Sequence, residues 1–250
     1  MNKTILITGA TSGIGKATAE FLASQGARLI LCGRRQERLD ALKEELPTEV
    51  HTLNFDVRDR VAVFEAIDSL PDAFTPIDVL INNAGNAHGL DDVVGAELDD
   101  WDAMIDGNVK GVMYVTKAIL PQMTERKKGH IINIGSIAGF EVYPKGNVYC
   151  ASKFAIDAFT KGLRIDLNSY GIRVGAINPG LVETEFSEVR FKGDEDRAAS
   201  VYSKLDALQA EDIANTILFM IHAPEHVTLA DITILPTAQA TATVLNKRCL

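Results

Sequence analysis

The sequence predicts a doubly wound α/β fold, one parallel sheet of about seven strands with helices on both faces. Two observations predict it. Short apolar runs rich in β-branched residues alternate with amphipathic stretches through most of the 250 residues, the pattern of parallel strands joined by crossover helices. The first run also passes directly into Thr8-Gly9-Ala10-Thr11-Ser12-Gly13-Ile14-Gly15, a glycine-rich turn that opens a helix.

In chain order, Thr4 to Thr8 is the first strand, ended by Gly9, and Gly13 to Gln25 is the helix that follows. Arg28 to Cys32 and Val50 to Asn54 are the next two strands, separated by a charged helix at Gln36 to Glu45. Arg60 to Leu70 returns the chain to a fourth strand at Val79 to Asn82, and one long helix is expected from Leu98 to Met123. His130 to Gly135 is the fifth strand, Asn147 to Tyr170 a second long helix, and Arg173 to Asn178 the sixth strand. Glu211 to Ile221 and Asp231 to Leu235 close the pattern as helix and strand. Right-handed crossovers stack the helices on both faces. Glu183 to Gln209 breaks the rhythm, being charged, carrying Gly193 and holding scattered aromatics. It reads as a mobile flap beyond the carboxyl ends of the strands, where open parallel sheets bind ligands, or as a surface loop without function.

The length suits one domain, 1 to 250, and neither a linker nor an internal repeat divides it. A net charge of -9 argues against nucleic acid or an anionic membrane as partner, since either asks for a basic face. Apolar runs such as Ile217 to Ile221 are too short to span a bilayer. The chain enters its first strand without a secretory leader, and Cys32, Cys150 and Cys249 have no metal-ligand spacing, so a cytoplasmic protein without a metal is expected. Cys150 is read as a packing residue, and the sequon at Asn2 has no consequence.

Tyr149-x-x-x-Lys153 is the pair with chemistry in it. Four residues apart on a helix, phenol and ammonium share a face and can point into one cleft. Lowering a tyrosine pKa from about 10 by roughly 2 to 3 units takes roughly 3 to 4 kcal/mol, which a cation about 4 Å away can supply. The reading is a phenol acting as acid and base. Ser136, taken to end the fifth strand, can hydrogen-bond a substrate oxygen where charge develops, although serines at strand ends are also plain turn formers. Gly9, Gly13 and Gly15 let the backbone turn tightly and bring N–H groups to a pyrophosphate. His88 is assigned no catalytic role.

With these motifs the chain resembles the short-chain dehydrogenase/reductases over nearly its whole length. The agreement runs in order: Thr8 to Gly15, Asp56-Val57, Asn82-Asn83-Ala84-Gly85, Asn108-x-x-Gly111, Ser136, Tyr149-x-x-x-Lys153, then Pro179-Gly180 with Thr184. The resemblance implies a Rossmann-like fold, with Thr11, Ser12 and Ile14 beside the three glycines in the cofactor loop. It implies that Asp56 and Val57 contact an adenine, that Asn83, Ala84 and Gly85 support the sheet beside the cofactor, and that Asn108 holds a water in a proton relay with Lys153. Pro179, Gly180, Val182 and Thr184 would frame a nicotinamide. Each of these residues could equally be a turn former or a cap. Tyr149 would donate the proton, Lys153 bind ribose hydroxyls and lower the phenol pKa, and Ser136 orient the substrate.

Cofactor choice is read after the second strand, where NAD enzymes place an acidic residue. Here stand Gly33-Arg34-Arg35, and guanidiniums suit a 2′-phosphate, so NADP(H) is expected. The competing reading is a solvated pair answering Glu37, with Lys16 one turn away as a helper or a surface residue.

For substrate, Ile234-Leu235-Pro236-Thr237-Ala238 departs from the Val-Asp-Gly-Gly ending of acyl-carrier reductases. Gly33 to Leu39, Gly146 to Tyr149 and Pro179 to Asp194 are instead similar to NADP-dependent 3-hydroxy acid dehydrogenases. That likeness implies short β-hydroxy acids such as serine, allo-threonine, 3-hydroxyisobutyrate or 3-hydroxypropionate, and a homotetramer paired through the two long helices. Arg190 is the candidate for the substrate carboxylate, against a surface arginine paired with Glu188 or Asp194. Glu141 and Lys145 could face the pocket, solvent or each other. A broad reductase of neutral ketones and aldehydes, or a non-catalytic NADP(H)-binding regulator, are the alternatives.

Overall fold

Every residue of Thr4–Thr8 (β1) is buried, because this strand lies at the middle of a sheet covered on both faces. The computed structural model describes residues 1 to 203 and 205 to 246, so Cys249 lies outside the described residues. β1 leads through the glycine turn into Gly13–Ser24 (α1), then Arg28–Gly33 (β2), Gln36–Glu45 (α2), Val50–Asn54 (β3), Arg60–Asp68 (α3) and Val79–Asn82 (β4). The second half adds Leu98–Ile105 (α4), Val112–Arg126 (α5), Gly129–Ile134 (β5), Asn147–Asp166 (α6) and Ile172–Pro179 (β6). Val182–Glu183 (β7), Phe186–Arg190 (α7), Glu195–Tyr202 (α8), Leu208–Gln209 (β8), Ala210–His222 (α9) and Asp231–Ile234 (β9) complete it.

Seven parallel strands pair in the order β3, β2, β1, β4, β5, β6, β9. The chain reverses direction across the sheet between β1 and β4, where Ile7 pairs with both Leu31 and Ile81. The crevice at that switch point is where a doubly wound sheet takes its ligand. Alternate β1 residues feed two cores: Ile5 and Ile7 pack under α1, α2 and α9, and Leu6 packs under α3, α5 and α6. Each such side chain contributes roughly 1.5 to 3 kcal/mol of burial.

The predicted helix over Leu98 to Met123 is interrupted: a π turn at Asp106–Gly111 separates α4 from α5. Gly107 and Gly111 lower helix propensity there, and Gly111 sits so close to Val57 that a Cβ would stand 2.7 Å from its side chain. The second long helix stops at Asp166 rather than Tyr170, and Asn168–Tyr170 follows as a tighter 3-10 turn that Gly171 ends in the left-handed conformation at φ +65°. β5 ends at Ile134, two residues before Ser136, so Ser136 is not the strand's last residue. The expected irregular flap is built of two helices, α7 and α8, held at its base by the β7–β8 pair.

Candidate active site

One cleft of about 520 Å³ opens above the carboxyl ends of β1, β2, β4, β5 and β6. Gly9, Thr11, Ser12, Gly13 and Ile14 form its floor at one end, with Arg34, Arg35, Asp56 and Val57 beyond them. Asn83, Ala84 and Gly85 line the middle, Pro179, Gly180, Val182 and Thr184 the far wall, and Ser136, Tyr149, Lys153 and Arg190 the inner end. Gly15 and Asn108 do not line it; both stand behind the wall.

The floor needs its glycines. Gly9 and Gly13 take φ +65° and +49°, and a Cβ on Gly15 would lie 2.2 Å from the Gly9 carbonyl oxygen. Asn83 locks this turn from the neighbouring strand, donating through Nδ2 to the carbonyls of Thr8 at 2.9 Å and Gly9 at 3.2 Å. Thr184 packs against Gly13, where an added Cβ would stand 3.2 Å from its own.

The two arginines after β2 diverge. Arg34 is exposed, 3.6 Å from Asp56, and Arg58 forks the same carboxylate at 2.6 Å. Arg35 folds back over the loop, donating to Thr11 Oγ1 at 3.1 Å and Ser12 Oγ at 2.8 Å. Neither answers Glu37; the acid on Arg35 is Glu185, shared with Arg38. Lys16 faces Glu20 at 3.6 Å, away from the arginines.

At the inner end Tyr149 and Lys153 share a face of α6, as their spacing demands. Lys153 Nζ donates to the Ile134 carbonyl at 3.0 Å and lies 5.9 Å from the centre of the Tyr149 ring. Burial lowers this ammonium to about 8. The expected depression of the phenol is not what the protein alone produces. Burial, the largest influence, pushes the Tyr149 hydroxyl up, with Tyr143 adding to it, while a hydrogen bond with Ser136 and the charge of Arg190 oppose them. Lys153 is turned toward a carbonyl, so its charge does not offset the desolvation. Tyr149 therefore holds its proton at neutral pH. Ser136 caps a short turn at Ile137–Gly139 by accepting from the Ala138 amide at 3.1 Å, which pins its hydroxyl beside Tyr149.

Asn108 lies in the π turn, and its amide is committed. Its Nδ2 donates to the Asn86 carbonyl at 2.8 Å and to Ser152 Oγ at 3.0 Å, and its Oδ1 accepts from the Asn86 amide at 2.7 Å. Both amide hydrogens hold the wall behind Lys153. Glu141 accepts from the Ala242 amide at 2.6 Å and so faces the bend between Gln239 and Leu245, not Lys145. His88 lines a separate small pocket behind Arg190.

Arg190 is held on both sides: Nε donates to the Gly89 carbonyl at 3.0 Å and Nη1 to Tyr143 Oη at 3.2 Å. Its guanidinium stands 5.8 Å from the Tyr149 ring centre and makes no pair with Glu188 or Asp194. Tyr143, Arg38 and Glu185 are site residues that sequence reasoning passed over. Tyr143 lies between Ser136 and Tyr149, in a stretch read only for its charges. Its ring packs where a side chain on Gly146 would be, a Cβ there lying 2.2 Å from it.

Residues 3 to 195 match the short chain dehydrogenase family. A relative from Salmonella typhi, described as NADP-dependent 3-hydroxy acid dehydrogenase YdfG, is 47% identical over 239 residues, covering 95% of this chain and 96% of its own. Sulfoacetaldehyde reductase 2 of Chromohalobacter salexigens is 46% identical over 243 residues, covering 96% of each. Among solved structures, the closed form of serine dehydrogenase complexed with NADP+ is similar at a TM-score of 0.92 and 45% identity, covering 95% of this chain and 96% of that one. Sequence and fold agree with that likeness, and the chain belongs to the short-chain dehydrogenase family.

Proposed function

We propose that this protein is an NADP-dependent oxidoreductase that interconverts a short β-hydroxy acid and its carbonyl form. A single observation carries the acid specificity: Arg190, fixed by Gly89 and Tyr143, holds its guanidinium beside the Tyr149 ring. A fork in that position can take a carboxylate in two parallel hydrogen bonds and set the distance from acid group to reacting carbon. Relatives named for 3-hydroxy acids and for serine support the same reading.

The cleft's residues fit the cofactor. Gly9 and Gly13 line the floor where backbone N–H groups could meet a pyrophosphate, with Gly15 packed beneath them, and Ser12 and Arg35 are the residues that would recognise a 2′-phosphate. Bound NADP(H) supplies or accepts the hydride. Ser136 orients the substrate oxygen, Tyr149 passes the proton to or from it, and Lys153, buried at the inner end of the cleft, would hold the ribose hydroxyls. Asn108 positions the wall behind Lys153. Residues 183 to 209 form the substrate flap of one catalytic domain.

We further infer a cytoplasmic homotetramer. No helix of the described residues is long and apolar enough to cross a membrane. Phe154 and Ile165, three turns apart on α6, and Met113 on α5 are exposed apolar residues that suit pairing of these helices between subunits.

Turnover of NADP+ with β-hydroxy acids, a β-hydroxy sulfonate and neutral alcohols tests the assignment, with Tyr149→Phe as the inactive control. Arg190→Ala should lower kcat/KM for the acids by roughly 10 to 100-fold and leave neutral alcohols within a few-fold. Parallel losses for acids and alcohols would favour the broad carbonyl-reductase reading.

A further inference from the structure

Glu185 occupies the arginine fork. Its two carboxylate oxygens accept from Arg38 Nη1 at 2.9 and 3.0 Å, and one accepts from Arg35 Nη1 at 3.3 Å. Arg35 spends its remaining donors on Thr11 and Ser12, so the pair of guanidiniums bridges the cofactor loop to the flap. Arg38 Nη1 reaches one further acceptor, the Thr11 carbonyl at 3.4 Å. We propose that Glu185 is an internal competitor for the cofactor's 2′-phosphate, holding Arg35 and Arg38 until the phosphate takes them, and that its release tells the flap which cofactor is bound. The inference rests on the reading of Arg35 as a phosphate ligand and adds Arg38 to it.

Three observations support the competition. The carboxylate already takes Arg38 Nη1 with both oxygens and Arg35 Nη1 with one, so a phosphate bound to these guanidiniums would seek the same donors. All three side chains are between 41% and 46% exposed, and an ion pair in that setting is weak enough for a dianion to displace. Both anions cannot sit there comfortably, because like charges repel.

The consequence reaches the catalytic end through one short element. Glu185 immediately precedes α7, whose first residue, Phe186, meets the Tyr149 ring edge-on at 5.8 Å. The last residue of α7 is Arg190. A cofactor lacking the phosphate leaves Glu185 tied to the arginines, and α7 with it.

Calorimetric titration of the full chain with 2′,5′-ADP and with 5′-AMP separates the possibilities. Glu185→Gln should tighten 2′,5′-ADP about three- to ten-fold, the range expected when a weak competing pair is removed, and leave 5′-AMP within two-fold. Arg38→Gln should weaken 2′,5′-ADP alone. Hydrogen exchange gives an independent reading: 2′,5′-ADP should speed exchange across residues 186 to 190 in the unaltered protein and change it little in Glu185→Gln. If Glu185→Gln weakens 2′,5′-ADP, or shifts both nucleotides equally, Glu185 orients the fork or shapes the flap and the competition is wrong. If the unaltered protein binds both nucleotides alike, the phosphate reading itself fails and takes the competition with it.

Discussion

Lys153 is buried at the inner end of the cleft, where its charge is costly to keep. Burial brings its ammonium from the ordinary 10.5 to about 8, so between those values the unfolded chain keeps a proton that the folded chain has released. Stability contributed at this position is therefore lowest where the lysine is charged in both states and rises with pH across that window. Compared with Lys153→Met, the unaltered protein should gain about 2 kcal/mol between about pH 8 and about pH 10, because a unit of pKa difference corresponds to about 1.4 kcal/mol. Urea unfolding of both proteins at the two pH values measures it, and parallel slopes would mean that Lys153 is better solvated than its surroundings indicate. The same variant should lose turnover, since the ammonium at the inner end of the cleft, which would hold the ribose, is gone.

At the scale of the element, the turn between β1 and α1 and the Asn83 side chain act as one unit. A methyl group on Gly15 would meet the Gly9 oxygen at 2.2 Å and Asn83 Nδ2 at 2.5 Å, and neither backbone nor amide can withdraw without opening the turn. Gly15→Ala should lower stability by about 1 to 3 kcal/mol, the usual cost of overpacking, and weaken NADP+ binding by at least about tenfold. Thermal unfolding and a fluorescence titration with NADP+ check the two halves; a normal affinity with lowered stability would show that Gly15 serves packing only. The π turn at Asp106–Gly111 is a second such unit, where Asn108 gives its side chain to Asn86 and Ser152 and so connects α4, α6 and the loop after β4.

For the whole molecule, exposed Phe154 and Ile165 on α6 predict that assembly covers them. If the proposed tetramer pairs through α6, Phe154→Glu should lower the light-scattering mass relative to the unaltered protein with circular dichroism intact; an unchanged mass would remove α6 from the interface. Much of the architecture was legible beforehand. Strand and helix periodicity placed all seven strands of the main sheet within about two residues, since a buried parallel strand is a continuous apolar run that the chain cannot disguise. The order of motifs likewise brought Ser136, Tyr149, Lys153 and the glycine loop to one cleft, because a parallel sheet delivers the end of each strand to the same edge. Local pattern could not see what depends on groups distant along the chain. The π turn after Ile105 carries Gly111 packed on Val57, the rise in the Tyr149 pKa comes from burial that Lys153 does not offset, and the contacts of Tyr143, Arg38 and Glu185 reach across as many as 150 positions. By itself the sequence determined the strands, the glycine turn and the spacing that sets Tyr149 and Lys153 on one helix face, all fixed by neighbours a few residues away. Only the tertiary structure decided which charge faces which, because ion pairing and desolvation depend on distance through space.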